Sequence, residues 1–404
     1  MQYTDIAWRN IWRNKKRTFI TVSAIVMAVM LSTLFSSVQE GTYSSMIKNF
    51  VGFYSGYIQI HDTNYWDSRS INDTYEYQSE ISKNVEAVDG VSHAVPRLES
   101  FTLVSTGNNT RGCALIGIDP IKEDKLTEMS QWIRDGEYLK EGDDGIILSA
   151  NTAMQIKANI GDTLVLISQG YHGASAAGLF PLRGILEYPS PEMNNMGGFV
   201  TLEKAQEFFS AYDRITSLVV MLDNHKKMKL VQNSLINAFP EYKVMNWEEM
   251  NPELVQMIES DQTFAIIFKL IIYLIVGFGI FGTVIMMIQE RHRENAVIVA
   301  VGMQKIKLQL ILIIETLFLG VVGLLVGFGI SMPIIGYFKN NPIFLGDEYS
   351  QAMESYGMEA AIYFAFDFPV FFVQVLIVFI ITTLVAFYPF FKVMSMNVIK
   401  NMRE

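Results

Sequence analysis

Between Arg17 and Glu40 the chain carries no formally charged residue, and a helix over residues 19–38 rises about 30 Å, the thickness of the hydrocarbon core of a bilayer. Three further apolar stretches, residues 270–288, 311–337 and 369–391, are each long enough to cross. Soluble helices of this length alternate charged residues on a solvent face, and these stretches do not. Four membrane spans are therefore expected. The first stretch is longer than the apolar core of a cleaved leader and lacks a small-x-small exit, so it reads as an uncleaved anchor. Composition agrees: half of the 404 residues are hydrophobic and only 18% are charged, too apolar for an ordinary soluble domain.

Basic residues beside the spans set an expected orientation. Arg9, Arg13, Lys15, Lys16 and Arg17 precede the first span, Arg291, Arg293, Lys305 and Lys307 follow the second, and Lys392, Lys400 and Arg403 follow the fourth. Those flanks, and both termini, are expected in the cytoplasm. The segment between the third and fourth spans carries Asp347, Glu348, Glu354, Glu359 and Asp367 against Lys339 alone, as an outside loop does. Ahead of the first span, Tyr3, Ala7, Trp8, Ile11 and Trp12 share one helical arc, and Asp5, Arg9, Arg13 and Lys16 share the other. That pattern predicts a helix in the headgroup plane that braces the first span. Ala24, Ala28, Ser32 and Ser36 form a small-residue stripe on the first span, and Gly320, Gly323 and Gly327 form one on the third. Both predict close helix contacts, within the chain or with another chain.

Residues 41–262 have the composition of a folded α+β domain. Strands are expected over 56–60 and 114–118 with a helix over 79–88, and strands over 217–222 and 242–245 with a helix over 226–239. This repeated order lets the two ends of the insertion pair into one subdomain. The middle, with strands over 145–149, 163–168, 182–186 and 198–202, forms a second. The Gly/Ala/Ser-rich loop from Gly170 to Gly178 lies between two of these strands and reads as a mobile hairpin tip.

Several functions are excluded or disfavoured. A net charge of −10 argues against a nucleic-acid partner. Cys113 is the only cysteine, which rules out an intramolecular disulfide, and it lies too far from the start to be a lipidation site. His61, His93, His172, His225 and His292 are scattered without metal-ligand spacing, and no catalytic constellation occurs, so the chain reads as a non-catalytic membrane subunit. It has no GxxxxGK[ST] loop, so any ATP is expected on another chain. Near the cytoplasmic interface, Glu315 reads as a solvated or capping carboxylate. Residues 290–305, where a charged patch runs into an apolar segment, read equally as a docking site or as a basic anchor followed by an interfacial helix.

Residues 290–307 resemble the "ERRREIGILRALGAS" coupling segment of FtsX-type permeases, with Glu290, Arg291, Arg293, Glu294, Ala300, Gly302 and Met303 at corresponding places. His292 stands where arginine is common, and Val299 and Val301 replace more usual residues. Residues 7–18 resemble the family's "RNLLRNKRRT" entry to the first span, Glu315 with Gly320, Gly323 and Gly327 its third span, and Tyr388 and Pro389 with the basic tail its ending. Gly136, residues 146–150, Gly161 and Asp162 resemble the MacB-type periplasmic domain. The resemblance implies an ABC transporter permease of the MacB and LolC/LolE class in the bacterial inner membrane. It implies a dimer with the same or a related permease, two copies of an ABC ATPase that hold ATP and Mg, and a conformational signal sent to the outside domain. With no attached ATPase or second permease half, the chain is most similar to the lipoprotein-releasing type. The alternatives are MacB-like export of peptides, toxins or small molecules and FtsX-like control of a cell-wall hydrolase.

The expected fold class is thus an α-helical membrane protein with four transmembrane helices and a large extracytoplasmic α+β domain, of porter and sabre type, between the first two. Residues 1–17 form the interfacial helix, 18–40, 263–289, 310–338 and 369–391 the spans, and 41–262 the periplasmic domain. That domain divides into a porter-like part, 50–119 with 216–262, and a sabre-like part, 120–215. Residues 290–309 form the coupling segment, 339–368 a periplasmic loop and 392–404 a cytoplasmic tail. By the same resemblance Gly170, Tyr171, Gly178 and Phe180 lie where the LolC type places a carrier-binding hook, next to lipoprotein and carrier as further partners.

Overall fold

A computed structural model describes residues 2–13, 15–188, 193–195, 197–346 and 361–394. The acidic residues Asp347, Glu348, Glu354 and Glu359, and the tail residues Lys400 and Arg403, lie outside the described residues. The chain divides into a membrane unit, residues 1–44, 257–344 and 361–404, and an insertion unit, residues 45–256 with 345–360.

Four helices of the described residues are long and apolar enough to cross a membrane. The first span lies in the helix Lys15–Phe50, the second in Pro252–Glu290, the third in Lys305–Asn340, and the fourth in Phe368–Ala386, followed by Tyr388–Met394. The first two helices outrun the apolar stretches that mark their spans. Apolarity locates the hydrocarbon, whereas the helix continues wherever its spacing holds: Tyr43, Met46, Ile47 and Phe50 recur at helical intervals beyond Glu40. Pro252 opens the second of these helices, where its missing N–H is no loss.

The third span is the packing hub of the membrane unit, since half of its apolar window (50%) is buried within the chain, against 11% of the second span's. Its Leu308, Leu312 and Leu324 meet Ile25, Ala28 and Val29 of the first span, Ile280, Val284 and Met287 of the second and Val378 of the fourth in one cluster. Tyr273 on the second span donates its hydroxyl to Gln374 on the fourth. After the third span, Ile343–Phe344 pairs antiparallel with Ala361–Ile362, and the following chain returns to the first span. There the Ser37 hydroxyl donates to the Ala365 carbonyl at 2.7 Å, and the Ala365 amide donates to the Ser37 carbonyl at 3.0 Å. A Cβ at Gly41 would stand 2.3 Å from the Tyr363 carbonyl oxygen, so only glycine allows this approach.

The insertion unit is built on a ten-stranded sheet. Its strands are β1 (Ile58–His61), β3 (Val91–Ser105), β4 (Thr110–Ile118), β5 (Ile133–Gly136), β6 (Ile146–Ser149), β7 (Thr163–Gln169), β8 (Ser175–Leu186), β9 (Gly197–Thr201), β11 (Ser217–Leu222) and β12 (Lys243–Asn246). The pair β2 (Tyr75–Glu76) and β10 (Arg214–Ile215) stands apart. The order is β12-β1-β11-β3-β4-β9-β6-β8-β5, with β7 bridging β3 and β8. Its β1 pairs with both β11 and β12, so the first and last strands of the insertion are neighbours. Strands of the expected middle part continue the same hydrogen-bonded sheet through the parallel β4 and β9 pairing.

Side chains alternate across the sheet's middle into two cores, as the period of two requires. Leu115, Ile146, Leu148 and Val200 enter one cluster with Phe180 and Phe209, whereas Ile116, Ile118, Ile147 and Phe199 enter the other with Tyr188. Both faces are therefore covered there. Gly136 closes β5 where a Cβ would stand 2.1 Å from the Arg183 carbonyl oxygen. Asp162, after Gly161, accepts from the Asn159 amide at 2.8 Å and so fixes the turn into β7.

Two buried polar groups stand out in this unit. Arg97 on β3 donates to Glu123 from Nε at 3.0 Å and from Nη2 at 2.6 Å, and from Nη1 to the Tyr54 carbonyl. His61 on β1 is fully buried, its Nδ1 donating to the Thr216 carbonyl at 3.2 Å and its ring stacked on Tyr65. Burial lowers its pKa from 6.5 to about 4. The unfolded chain then takes up this proton first, so stability is full above about pH 6.5 and falls as pH drops towards 4, by roughly 3 kcal/mol for this group. Unfolding titrations of the detergent-solubilised chain between pH 7 and 4.5 are expected to show a loss that His61→Phe reduces; an equal loss in the variant contradicts this assignment.

Candidate functional site

The segment after the second span folds as a short helix, His292–Ala300, backed firmly on one side and bare on the other. Asn295 and Ala296 are buried, and Val299 and Met303 pack against the cluster that holds Ile288, Leu308 and Leu312. Arg293, Glu294, Val297, Ile298, Ala300 and Val301 face outward, and Val301 is 85% exposed. Glu290, the last residue of the second long helix, is also exposed. Gly302 ends the short helix with φ +113°, a conformation that strains any residue bearing a Cβ. The Met303 amide reaches back to the Ile298 carbonyl at 3.2 Å, closing the last turn. An apolar ridge flanked by charges thus stands out from a fixed base, which is what a second chain can grip.

Arg291 does not belong to that outer face. Its Nη1 donates to Glu315 on the third span at 2.9 Å and 3.3 Å, and its Nη2 donates to the Asn10 carbonyl of the N-terminal helix, Gln2–Arg13, at 3.3 Å. Both side chains are buried, Glu315 completely. Glu315 is therefore neither solvated nor a cap, because a guanidinium neutralises it inside the protein. Position near an interface does not reveal such a pair, since its partners stand far apart in sequence. The N-terminal helix buries Ala7 and Ile11 and sets Trp8 edge-on to Phe318 of the third span, 5.9 Å between ring centres. Arg13 pairs with Glu294 at the surface.

The glycine stripe of the third span faces two partners within the chain. A Cβ at Gly323 would stand 2.7 Å from Ile25 Cβ, one at Gly327 would stand 2.9 Å from Val29 Cβ, and one at Gly320 would stand 2.6 Å from Thr382 Cγ2. On the first span Ala28, Ser32 and Ser36 are buried and Ala24 is half-buried.

The segment expected as a loop from Gly170 to Gly178 is shorter in the structure. Residues 170–174 make the turn, and β8 begins at Ser175, pairing Ser175 with Gln169 and Ala177 with Ile167. Small residues there serve packing, since a Cβ at Gly178 would meet the Phe180 ring at 2.9 Å. Phe180 is buried in the core and Gly170 is buried beside the Phe209 backbone. The tip is tied down: the His172 amide donates to Asn72 Oδ1 at 2.7 Å, and the Arg214 guanidinium lies 4.9 Å from the Tyr171 ring centre.

A sheet-rich unit inserted between the first two of four apolar helices, with a short outward-facing helix between the second and third, defines a class of membrane protein. Residues 18–238 match the MacB-like periplasmic core domain family and residues 266–398 the FtsX-like permease C-terminal family. The chain belongs to the FtsX-like permeases that carry a MacB-like periplasmic core domain. It is 21% identical over 270 residues to the lipoprotein-releasing system transmembrane protein LolE of Haemophilus influenzae, covering 63% of each chain. It is 20% identical over 272 residues to LolC of Neisseria meningitidis, covering 62% of this chain and 64% of that one. The match thus spans less than two thirds of either relative. Among solved structures, the periplasmic region of MacB from Actinobacillus actinomycetemcomitans aligns at 15% identity over 53% of this chain and 98% of that one, with a TM-score of 0.36. The extracellular domain of the transporter YknZ from Gram-positive bacteria aligns at 14% identity over 47% of this chain and 99% of that one, with a TM-score of 0.34.

Proposed function

We propose that this chain is the membrane subunit of an ABC transporter whose ATPase subunits dock on the outward face of residues 293–301. The observation that carries the reading is the ridge of Val297, Ile298 and Val301, flanked by Arg293 and Glu294 and seated on a buried base. ATP and Mg belong to two copies of the ATPase, and a second permease, identical or related, completes the transporter. The basic flanks support a reading in which both termini and this ridge are cytoplasmic and the insertion is periplasmic. Supported by the relatives LolE and LolC, the work assigned is release of lipoproteins from the inner membrane to a periplasmic carrier. Each acyl methylene drawn from the bilayer costs about 0.8 kcal/mol, so release needs both an energy source and an acceptor. Of the 170–180 segment a carrier would meet the turn residues Tyr171, His172 and Gly173 and the exposed strand positions Ser175, Ala177 and Leu179, whereas Gly170, Ala176 and Phe180 are buried. Export of the MacB kind is the second reading, favoured by the match of the core domain.

Arg293→Glu with Val301→Asp is expected to lower ATPase recovery in a pull-down from solubilised membranes at least about tenfold, as loss of a charged contact together with an apolar anchor does. Unchanged recovery counts against docking. Depletion of the chain separates the two substrate readings: lipoproteins held in the inner membrane support release, and their normal sorting supports export.

A further inference from the structure

Behind the docking ridge lies the three-way junction of Arg291, and its chemistry exceeds what stability asks of it. Among mutually packed helices an apolar pair of similar volume holds as well as a buried ion pair, and often better. What the apolar pair lacks is the fork. A guanidinium presents donors in two directions from one rigid plane, and Arg291 uses both, Nη1 on Glu315 of the third span and Nη2 on the Asn10 carbonyl. Its own backbone carbonyl accepts the Asn295 amide at 2.8 Å and so begins the ridge helix. One residue therefore joins the ridge, the third span and the N-terminal helix. Both side chains are buried, Glu315 fully and Arg291 nearly so, and removal of Glu315 takes from Arg291 the carboxylate it faces.

The junction leads onward. The Thr18 hydroxyl at the start of the first span donates to the Ile11 carbonyl at 2.6 Å, fastening the N-terminal helix to the span. Arg13 and Glu294 pair on the outside of the same junction, an exposed contact that adds little energy. We propose that Arg291 and Glu315 are positioning residues: they pin the ridge to the N-terminal helix, so that a push on the ridge moves the first span as well as the second and third. This rests on the docking reading. The N-terminal helix is then a lever in the transport cycle as well as a brace at the membrane surface.

The test uses the full chain with its ATPase in lipid nanodiscs, spin-labelled at Arg9→Cys and at Gln304→Cys, an exposed position just past the docking face, in a Cys113→Ser background. In the otherwise unchanged chain the two labels are expected to keep one distance with and without vanadate-trapped nucleotide. In Arg291→Met with Glu315→Leu, which keeps an apolar contact but loses the fork, nucleotide is still trapped and the distance is expected to shift by about 2 Å, the scale of helix displacements in such transitions. Arg291→Lys keeps a charge opposite Glu315 but cannot also reach the Asn10 carbonyl; it is expected to shift in the same direction, and it decides the matter should the double variant fail to fold. A distance that changes in the unchanged chain, or stays fixed in both variants, overturns the pin and leaves docking intact. Failure of the unchanged complex to trap nucleotide overturns docking, and the pin with it.

Discussion

Glu123→Ala is expected to destabilise the insertion unit by about 3–5 kcal/mol, because it leaves the buried Arg97 guanidinium with the more distant Glu99 carboxylate, 3.9 Å away, in place of its close partner. Burial alone disfavours the charge on Arg97, but the Glu123 carboxylate facing it, with Glu99 beside it, outweighs that and holds the arginine protonated more firmly than usual. The same guanidinium donates to the Tyr54 carbonyl, so the damage extends to the π-helical turn Val51–Ser55. Arg97→Met with Glu123→Leu removes both charges together and is expected to cost far less, since an apolar pair of similar volume is often neutral or better. The difference between single and double variants carries the claim, measured as denaturant midpoints of the solubilised chain. Equal losses in the two would show that the ion pair is incidental to packing.

The second large effect is expected in the membrane unit. Gly323→Ala places a Cβ 2.7 Å from Ile25 Cβ, a backbone-anchored neighbour that cannot swing away, so the first and third spans must separate. Overpacking of this kind costs about 1–3 kcal/mol, and Gly323→Val more. The control is Gly329, on the same helix, where a Cβ meets nothing within 4 Å. There alanine is expected to be neutral or to stabilise by up to about 1 kcal/mol through its helix preference. Thermal unfolding in detergent distinguishes the sites, and equal behaviour of Gly323→Ala and Gly329→Ala would remove the helix contact from this account.

Features governed by local pattern were legible in the sequence. The four apolar stretches located the long helices, because water-free hydrocarbon demands uninterrupted apolarity. The expected strand over residues 217–222 coincides with β11, and that over 145–149 differs from β6 by one residue. The central strand was not legible. β3 runs from Val91 to Ser105 and contains Pro96 and Arg97, residues that argue against a buried strand when read singly. Only tertiary context, with Glu123 across from Arg97, makes that arginine a core residue. Arg291 and Glu315 were hidden in the same way: each was noticed, as a basic flank and as an interfacial carboxylate, but a pair separated by 24 positions has no spacing signature. The Gly/Ala/Ser run misled in the opposite direction, since small residues suit both a mobile tip and a strand pressed against aromatic rings. Glycine stripes announced close contact, yet naming the partner as Ile25, Val29 or Thr382 required the structure.

The proposed function depends on an ABC ATPase binding the outward face of residues 293–301. A photoreactive amino acid placed at Val301 tests it most directly in intact cells, with the same substitution at Leu230, an exposed helix position of the insertion unit, as the comparison. An adduct with an ABC ATPase is expected from position 301 and none from position 230. No ATPase adduct at 301, or one formed from 230, would contradict it.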